Sequence, residues 1–204
     1  MKSWKIIGLR IIIAGMFLLL AACGSTKVDR VEVDKTIDLS GRWNDSDSRL
    51  VSEEMVRDIM DRPWLGNHRS QNQGKIPSVI VGTVRNRSDE HINTQTFVKN
   101  LERALVNSGE VDLVADSGER MEIRAERQDQ AGHSSEDTAK EEGQEIGADY
   151  MLQGSINTIS DRLEGKEVKY YQVNLELIQI QTHRKVWLGE KKIKKLVEKK
   201  KFWF

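Results

Sequence analysis

Between Asp47 and Asp61 apolar residues recur at Leu50, Val51, Met55, Val56, Ile59 and Met60, a spacing that predicts an amphipathic helix. The pair Arg62-Pro63 ends it, because the residue before a proline is pushed out of the helical region. The polar run 66–75 (GNHRSQNQGK) then reads as a loop. Ser78 to Val84 (SVIVGTV) is a continuous apolar run, the pattern of a strand covered on both faces. Thr94 to Ser108 predicts a helix with Phe97, Leu101, Ala104 and Leu105 turned inward, and Gly109 stands where a C-cap glycine belongs. Val111 to Ala115 reads as a short strand. Two charged helices follow, over Gly118–Gln130 and Ser135–Ile146, with Gly132 between them.

The C-terminal third alternates with period two. Tyr150 to Ile159 reads as a strand, Asp161 to Lys166 as a hairpin loop, and Glu167 to Gln181 as a second strand through Tyr171, Val173, Leu175 and Leu177. The phase changes at Ile178 and Ile180, which predicts either cover on both faces or a bulge. Thr182-His183-Arg184 turns the chain into a last strand, Lys185 to Ile193. The expected fold is α+β, a single domain whose mixed, mostly antiparallel sheet of about four or five strands is flanked by helices.

The N-terminus carries a different signal. Lys2, Lys5 and Arg10 precede Ile11–Leu20 (IIIAGMFLLL), an uncharged apolar run. A helix needs about 20 such residues to span a bilayer, so this run fits a signal-peptide core instead. Leu20-Ala21-Ala22-Cys23 then resembles the bacterial lipobox, which implies cleavage between Ala22 and Cys23. The cysteine would carry a diacylglycerol on sulfur and an acyl chain on its freed amine. Cys23 is the chain's only cysteine, so no internal disulfide can form. Two or three acyl chains, at about 0.8 kcal/mol per buried CH2, give a stable anchor. Gly24, rather than an aspartate, follows the cysteine, and enterobacterial sorting rules then imply the outer membrane. The predicted organisation is a leader over 1–22, a lipidated cysteine and tether over 23–36, a globular domain over 37–197 and a tail over 198–204. The thirteen tether residues 24–36 reach at most about 45 Å when extended.

Lysine plus arginine equals aspartate plus glutamate at 32 each, which gives no global charge to suggest a nucleic-acid partner. Charge does cluster locally in Lys191–Phe204 (KKIKKLVEKKKFWF), with seven lysines, one glutamate and three closing aromatics. That stretch reads as a last strand with a solvated tail, or as a contact for an anionic surface such as lipid headgroups or cell-wall polymer. Catalytic motifs are scarce. The histidines His68, His91, His133 and His183 are scattered, without the spacing of a zinc site. Neither a GxSxG elbow nor a phosphate-binding glycine loop occurs. The expectation is a protein that is not an enzyme, with no metal and no cofactor beyond the acyl chains.

Acidic and hydroxyl residues crowd in Leu39–Val51 (LSGRWNDSDSRLV). A calcium loop needs oxygen ligands at alternate positions and then a glycine. Counting from Asp45, Arg49 takes a ligand position and Leu50 the glycine's. Counting from Asn44, the ligands are too neutral. A helix cap at Ser46 or Asp47 is the better reading, with the helix beginning near Arg49 and Asp45 and Asp47 near its positive end. Trp43, beside Arg42, is either a hydrophobic staple or an exposed anchor for a partner. The second reading makes Arg42, Trp43, Asn44 and Asp45 the candidate partner-binding residues.

Taken together, LSGRWNDSDSRLVSEEMV, RPWL, SVIVGTVRNRSDEHINT, GADYMLQGSI, YYQVNLELIQI and RKVWLGEKKIKKLV resemble the LpoB-like penicillin-binding-protein activator lipoproteins over about 37–197. GRWNDSDS and VWLGEKKIKK are the most specific parts. The GADY element is shared with CsgG-like secretion lipoproteins and TolB-type N-terminal domains. The resemblance implies a non-catalytic outer-membrane lipoprotein, facing the periplasm, that binds a bifunctional penicillin-binding protein and stimulates its glycosyltransferase and transpeptidase activities. Enterobacterial members carry a long, proline-containing linker that the short tether here lacks. Two other readings stay open: a CsgG-like envelope assembly lipoprotein that oligomerises, and a module that binds peptidoglycan through its lysine-rich tail.

Overall fold

The computed structural model describes residues 27–135, 137–140 and 143–198. The leader, the Ala22–Cys23 cleavage site, Cys23 itself and the closing aromatics Phe202, Trp203 and Phe204 lie outside the described residues. The chain divides into two units after Lys35. In the first, Lys27 pairs with Asp29 at 3.0 Å and the Lys35 amide donates to the Glu32 carbonyl at 3.2 Å.

The second unit begins with helix α1 (Asp45–Met60) and helix α2 (Pro63–Gln71). Arg62 is extended, as a residue before proline must be. Pro63 does not only end α1, however. It occupies the first turn of α2, where its missing N–H would have no intrahelical partner anyway. The loop expected over 66–75 is therefore helical up to Gln71. Trp64, Leu65 and His68 form its buried face, and this stripe is too short for a periodicity reading to catch.

Strand β1 (Ser78–Arg87), helix α3 (Thr94–Ser108) and the two-residue strand β2 (Asp112–Leu113) come next. The α3 bounds are those its pattern predicts. Its C-cap is Gly109 at φ +67, a left-handed conformation that glycine adopts without strain. Helix α4 (Ser117–His133) runs straight through Gly132, since one glycine costs a helix only about 1 kcal/mol. The second helix expected over Ser135–Ile146 is absent among the described residues, which form turns and irregular chain there. That segment has no apolar stripe to bury, so nothing offsets the cost of ordering it.

Strands β3 (Tyr150–Leu163), β4 (Lys166–Gln179) and β5 (Lys185–Glu198) form an antiparallel meander. The sheet order is β2-β1-β3-β4-β5, with β1 parallel to both β2 and β3. The first hairpin is tighter than expected. Glu164 and Gly165, both at positive φ, make the two-residue turn that suits the twist of the strands. The phase change near Ile178 is a bulge: Leu177 faces Trp187 but Ile178 faces Lys185, so β5 carries the extra residue.

Helices α1 and α3 pack together and cover one face of the sheet. Ile59, Phe97 and Leu101 meet Leu152, Ile156 and Val173 there, each at most 2% exposed. Among the described residues no helix packs on the opposite face of β3, β4 and β5, where half-buried polar positions alternate with the core. Helix α4 buries no residue and is held by surface ion pairs such as Lys99–Glu119 and Arg124–Glu145.

Candidate functional site

The segment 36–44 lies against the end of the sheet where the β3–β4 hairpin closes. Its anchor is Trp43. The indole packs edge-on against Phe97 (centroids 6.3 Å apart) and Tyr171 (5.6 Å), and its Nε1 donates to Ser48 Oγ at 2.7 Å. Trp43 is thus packed under α1. Asn44 is the N-cap: its side chain accepts from the Asp47 amide, while the Asp47 carboxylate accepts from the Asn44 amide, a reciprocal capping box. This corrects the cap expected at Ser46 or Asp47. The helix starts at Asp45, and Ser46 and Asp47 are buried in its first turn. Of the four candidate partner-binding residues only Arg42 and Asp45 are exposed, with Trp43 and Asn44 half-buried.

Two ion pairs hold the segment down, the first buried and the second open to solvent on its Asp38 side. Lys169 on β4 and Glu90, after β1, are 6% and 9% exposed and bonded to each other. Glu90 also accepts from the Tyr171 hydroxyl at 2.9 Å and the Trp43 amide at 3.1 Å. Burial works against the ionised carboxylate, but the Lys169 ammonium, the Trp43 amide and the Tyr171 hydroxyl outweigh it. Glu90 stays below the usual glutamate range. Burial first, and then the Glu90 charge, push the Tyr171 phenol far above its ordinary value.

In the second pair Lys195 on β5 donates to Asp38 and Asp47, both at 2.6 Å, and to the Arg42 carbonyl at 3.2 Å. Burial disfavours its charge, yet the two carboxylates win and raise its pKa. Sequence reading missed both lysines, although a signal existed. Lys169 shares the phase of Tyr171, Val173 and Leu175, and Lys195 that of Ile193 and Val197, so period two already turns them inward. Gly41 fits the same corner for two reasons: its φ is +68, and a Cβ there would lie 2.2 Å from Val197 Cγ2.

The docked segment walls a groove of about 780 Å³ whose lining includes Leu39, Arg42, Arg162, Glu167 and Val197. Leu39 is 93% exposed on its rim. An exposed arginine beside a concavity, on a base fixed by ion pairs, is a feature of a contact surface. It supplies no nucleophile and no acid–base relay.

A second polar cluster, at His68, Ser78, Asp149 and Tyr150, is structural. The Ser78 hydroxyl lies 2.8 Å from the Asp149 carboxylate and 3.0 Å from the Gly147 carbonyl, so its proton goes to an acceptor other than the imidazole. His68 Nδ1 instead meets the Tyr150 hydroxyl at 3.1 Å. Among the described residues no cluster of histidine, cysteine, aspartate and glutamate has the geometry to hold a metal ion. Nor is any helix there long and apolar enough to cross a membrane.

A family model described as peptidoglycan-synthase activator LpoB matches residues 47–193. The chain belongs to this family. The match runs from the first turn of α1 through most of β5 and includes Asp47, Glu90 and Lys169; Asn44 and Lys195 lie just outside it. Among solved structures the chain is similar to the C-terminal domain of LpoB from Salmonella enterica, with 20% identity, 72% of this chain and 98% of that one covered, and a TM-score of 0.40. It is similar to LpoB of Escherichia coli, with 16% identity, 88% and 84% covered, and a TM-score of 0.42. It is also similar to lipoprotein GNA1162 of Neisseria meningitidis, with 14% identity, 59% and 83% covered, and a TM-score of 0.34. No curated protein matches the chain. The family is one of activators rather than catalysts.

Proposed function

We propose that the protein binds a bifunctional penicillin-binding protein and stimulates its peptidoglycan synthesis from a lipid anchor at Cys23 in the outer membrane, facing the periplasm. The observation that carries this reading is the match of residues 47–193 to the synthase-activator family. The groove bordered by Leu39 and Arg42 is the contact surface favoured within it. Its rim carries the exposed Arg42, and arginine is among the residue types enriched at interface hot spots. Acyl chains on Cys23 account for the lipobox-like LAAC run and leave the domain free to act by contact alone. The thirteen tether residues limit the domain to about 45 Å from the anchor, so the synthase must offer its docking element within that reach.

Two experiments test the proposal. Capture of the full chain from detergent-solubilised envelopes should enrich a penicillin-binding protein, and adding the chain to that synthase should raise its glycan polymerisation rate. An Arg42→Glu chain should capture less synthase while melting at the unchanged temperature. Absence of any penicillin-binding protein from the captured material rejects the reading. A large ring in light scattering would favour an assembly lipoprotein instead. Cys23→Ala tests the anchor separately, because that chain should leave the membrane fraction.

A further inference from the structure

The uncovered face of the sheet holds a second concavity, of about 380 Å³, far from the 36–44 segment in the register of the strands. Its most unusual feature begins as a backbone irregularity. Along β1, Val79 pairs with Tyr150 and Val81 with Leu152, so odd-numbered residues face the helices. Two residues of β1, Gly82 and Thr83, then stand against the single residue Gln153 of β3 before Val84 pairs with Gly154. This is a bulge, and it inverts the alternation. Val84 keeps its place in the core at 3% exposure. Arg85 and Arg87, which an unbroken strand would turn toward the helices, emerge on the open face beside Ser155 and Asn157. Bulges re-aim side chains in this way, and they concentrate near functional sites. At Gly82 an added Cβ would come within 3.2 Å of the Met151 side chain, so a small residue suits the bend.

The charges of this face decide what it attracts. Glu176 is paired with Lys185 at 2.5 Å and accepts from Gln153 at 2.8 Å. Glu190 is paired with Lys192 at 2.5 Å. These pairs offset the two carboxylates. Arg85 lies near enough to Glu176 to help hold its pKa down, after Lys185 and Gln153, but neither the Arg85 nor the Arg87 guanidinium makes a hydrogen bond or ion pair among the described residues. They stand two residues apart on one face, roughly 7 Å from Cα to Cα. Facing them are amide and hydroxyl side chains, Gln153, Ser155 and Asn174. Planar guanidiniums with neutral hydrogen-bonding groups nearby are suited to carboxylates, which they can bind in a two-pronged manner.

The volume is that of a small-ligand site. No aromatic residue lies among the lining residues, which disfavours a sugar ring as the main ligand, since no side chain there can stack on one.

We propose that the concavity bounded by Arg85 and Arg87 binds the free carboxylates of a short acidic peptide, the chemistry offered by the stem peptides of peptidoglycan. The site is separate from the Arg42 groove, and the choice of stem peptides as the ligand rests on the periplasmic placement proposed above.

The test is calorimetric titration of the full chain, in detergent, with a soluble muropeptide whose stem carboxylates are free, and with the same muropeptide amidated. Saturable binding is expected for the free acid, weakened at least about tenfold by Arg85→Gln with Arg87→Gln and by amidation alike, because each removes one side of the same charge-assisted bonds. Both arginines are exposed, so the double variant should keep its melting temperature, and that measurement separates lost binding from lost folding. Failure to saturate at millimolar peptide overturns the proposal, as does equal binding of the amidated peptide or of the double variant. The double variant is also used to capture the synthase. If it loses the synthase while no peptide binds, the arginines belong to a protein interface and the peptide site is refuted.

Discussion

Replacing Glu90 by glutamine isolates the buried pair that fixes the candidate contact surface. The substitution keeps the shape but removes the charge that Lys169 faces, at a position where the lysine is 6% and the glutamate 9% exposed. It also weakens the acceptor used by the Tyr171 hydroxyl and the Trp43 amide. Breaking one side of a buried ion pair costs about 3–5 kcal/mol, because the remaining charge stays desolvated. At about 2–4 °C per kcal/mol for a domain of this size, the melting temperature should fall by roughly 6–20 °C. Lys169→Met alone should cost less, since the Trp43 and Tyr171 donors still face the remaining carboxylate. The double variant then decides the matter. If the energy resides in an uncompensated charge, Glu90→Gln with Lys169→Met is distinctly more stable than the sum of the two single losses, by about 1 kcal/mol or more. Urea unfolding followed by tryptophan fluorescence gives all three values. Additive losses, or a Glu90→Gln loss under about 1 kcal/mol, would refute the idea that this pair anchors the corner.

Asn44→Ala removes the N-cap and frees the Asp47 side chain from its reciprocal bond; a loss of about 1 kcal/mol is expected in thermal melts, with the fold retained. Gly154→Ala would place a Cβ 2.1 Å from the Asn174 carbonyl oxygen; backbone cannot yield as a flexible side chain does, so a loss of about 1–3 kcal/mol is expected in urea midpoints. Acid should unfold the protein in a Glu90-dependent way. The folded pKa of Glu90 lies below its reference of 4.5, so the unfolded chain takes up the proton first as pH falls. The stabilisation is full above about 4.5 and is lost as pH drops through the folded value. Asp38, lowered chiefly by Lys195, adds to this slope, whereas Asp47, raised by burial, opposes it. Urea midpoints between pH 6 and pH 3 should fall less steeply for Glu90→Gln than for the wild type.

The elements legible in the sequence were those with a long apolar period. Helix α3 and strand β4 each bury four or more residues in register and β3 buries three, and the bulge between β4 and β5 announced itself as a phase change at Ile178. What escaped depended on contacts between distant residues. Pro63 reads locally as a stop, and only the burial of Trp64 and His68 makes it a start. The Asn44 cap was missed because every residue from Asn44 to Ser48 has a capping side chain. The choice among them rests on where Trp43 is held, and Glu90 holds it from 47 positions away. Lys169 and Lys195 were readable by phase, but lysine is so seldom buried that phase alone does not place it inward. The arginines of the open face escaped for the opposite reason: without the bulge at Gly82 and Thr83, their phase points to the core.

These networks also determine what functional variants can teach. Glu90 touches Trp43, Trp43 packs under α1, and the α1 carboxylate of Asp47 meets Lys195, which in turn holds the Arg42 carbonyl. Any substitution along that chain loosens the segment carrying Leu39 and Arg42, and would weaken a partner without touching it. Loss of synthase capture in a Glu90 variant therefore carries no information about contact unless the melting temperature is unchanged. Arg42 is different, because its backbone carbonyl, not its side chain, belongs to the network. Its guanidinium can be replaced while the corner stays closed. The division between buried chain and exposed side chain at this one residue is what makes the groove testable as an interface.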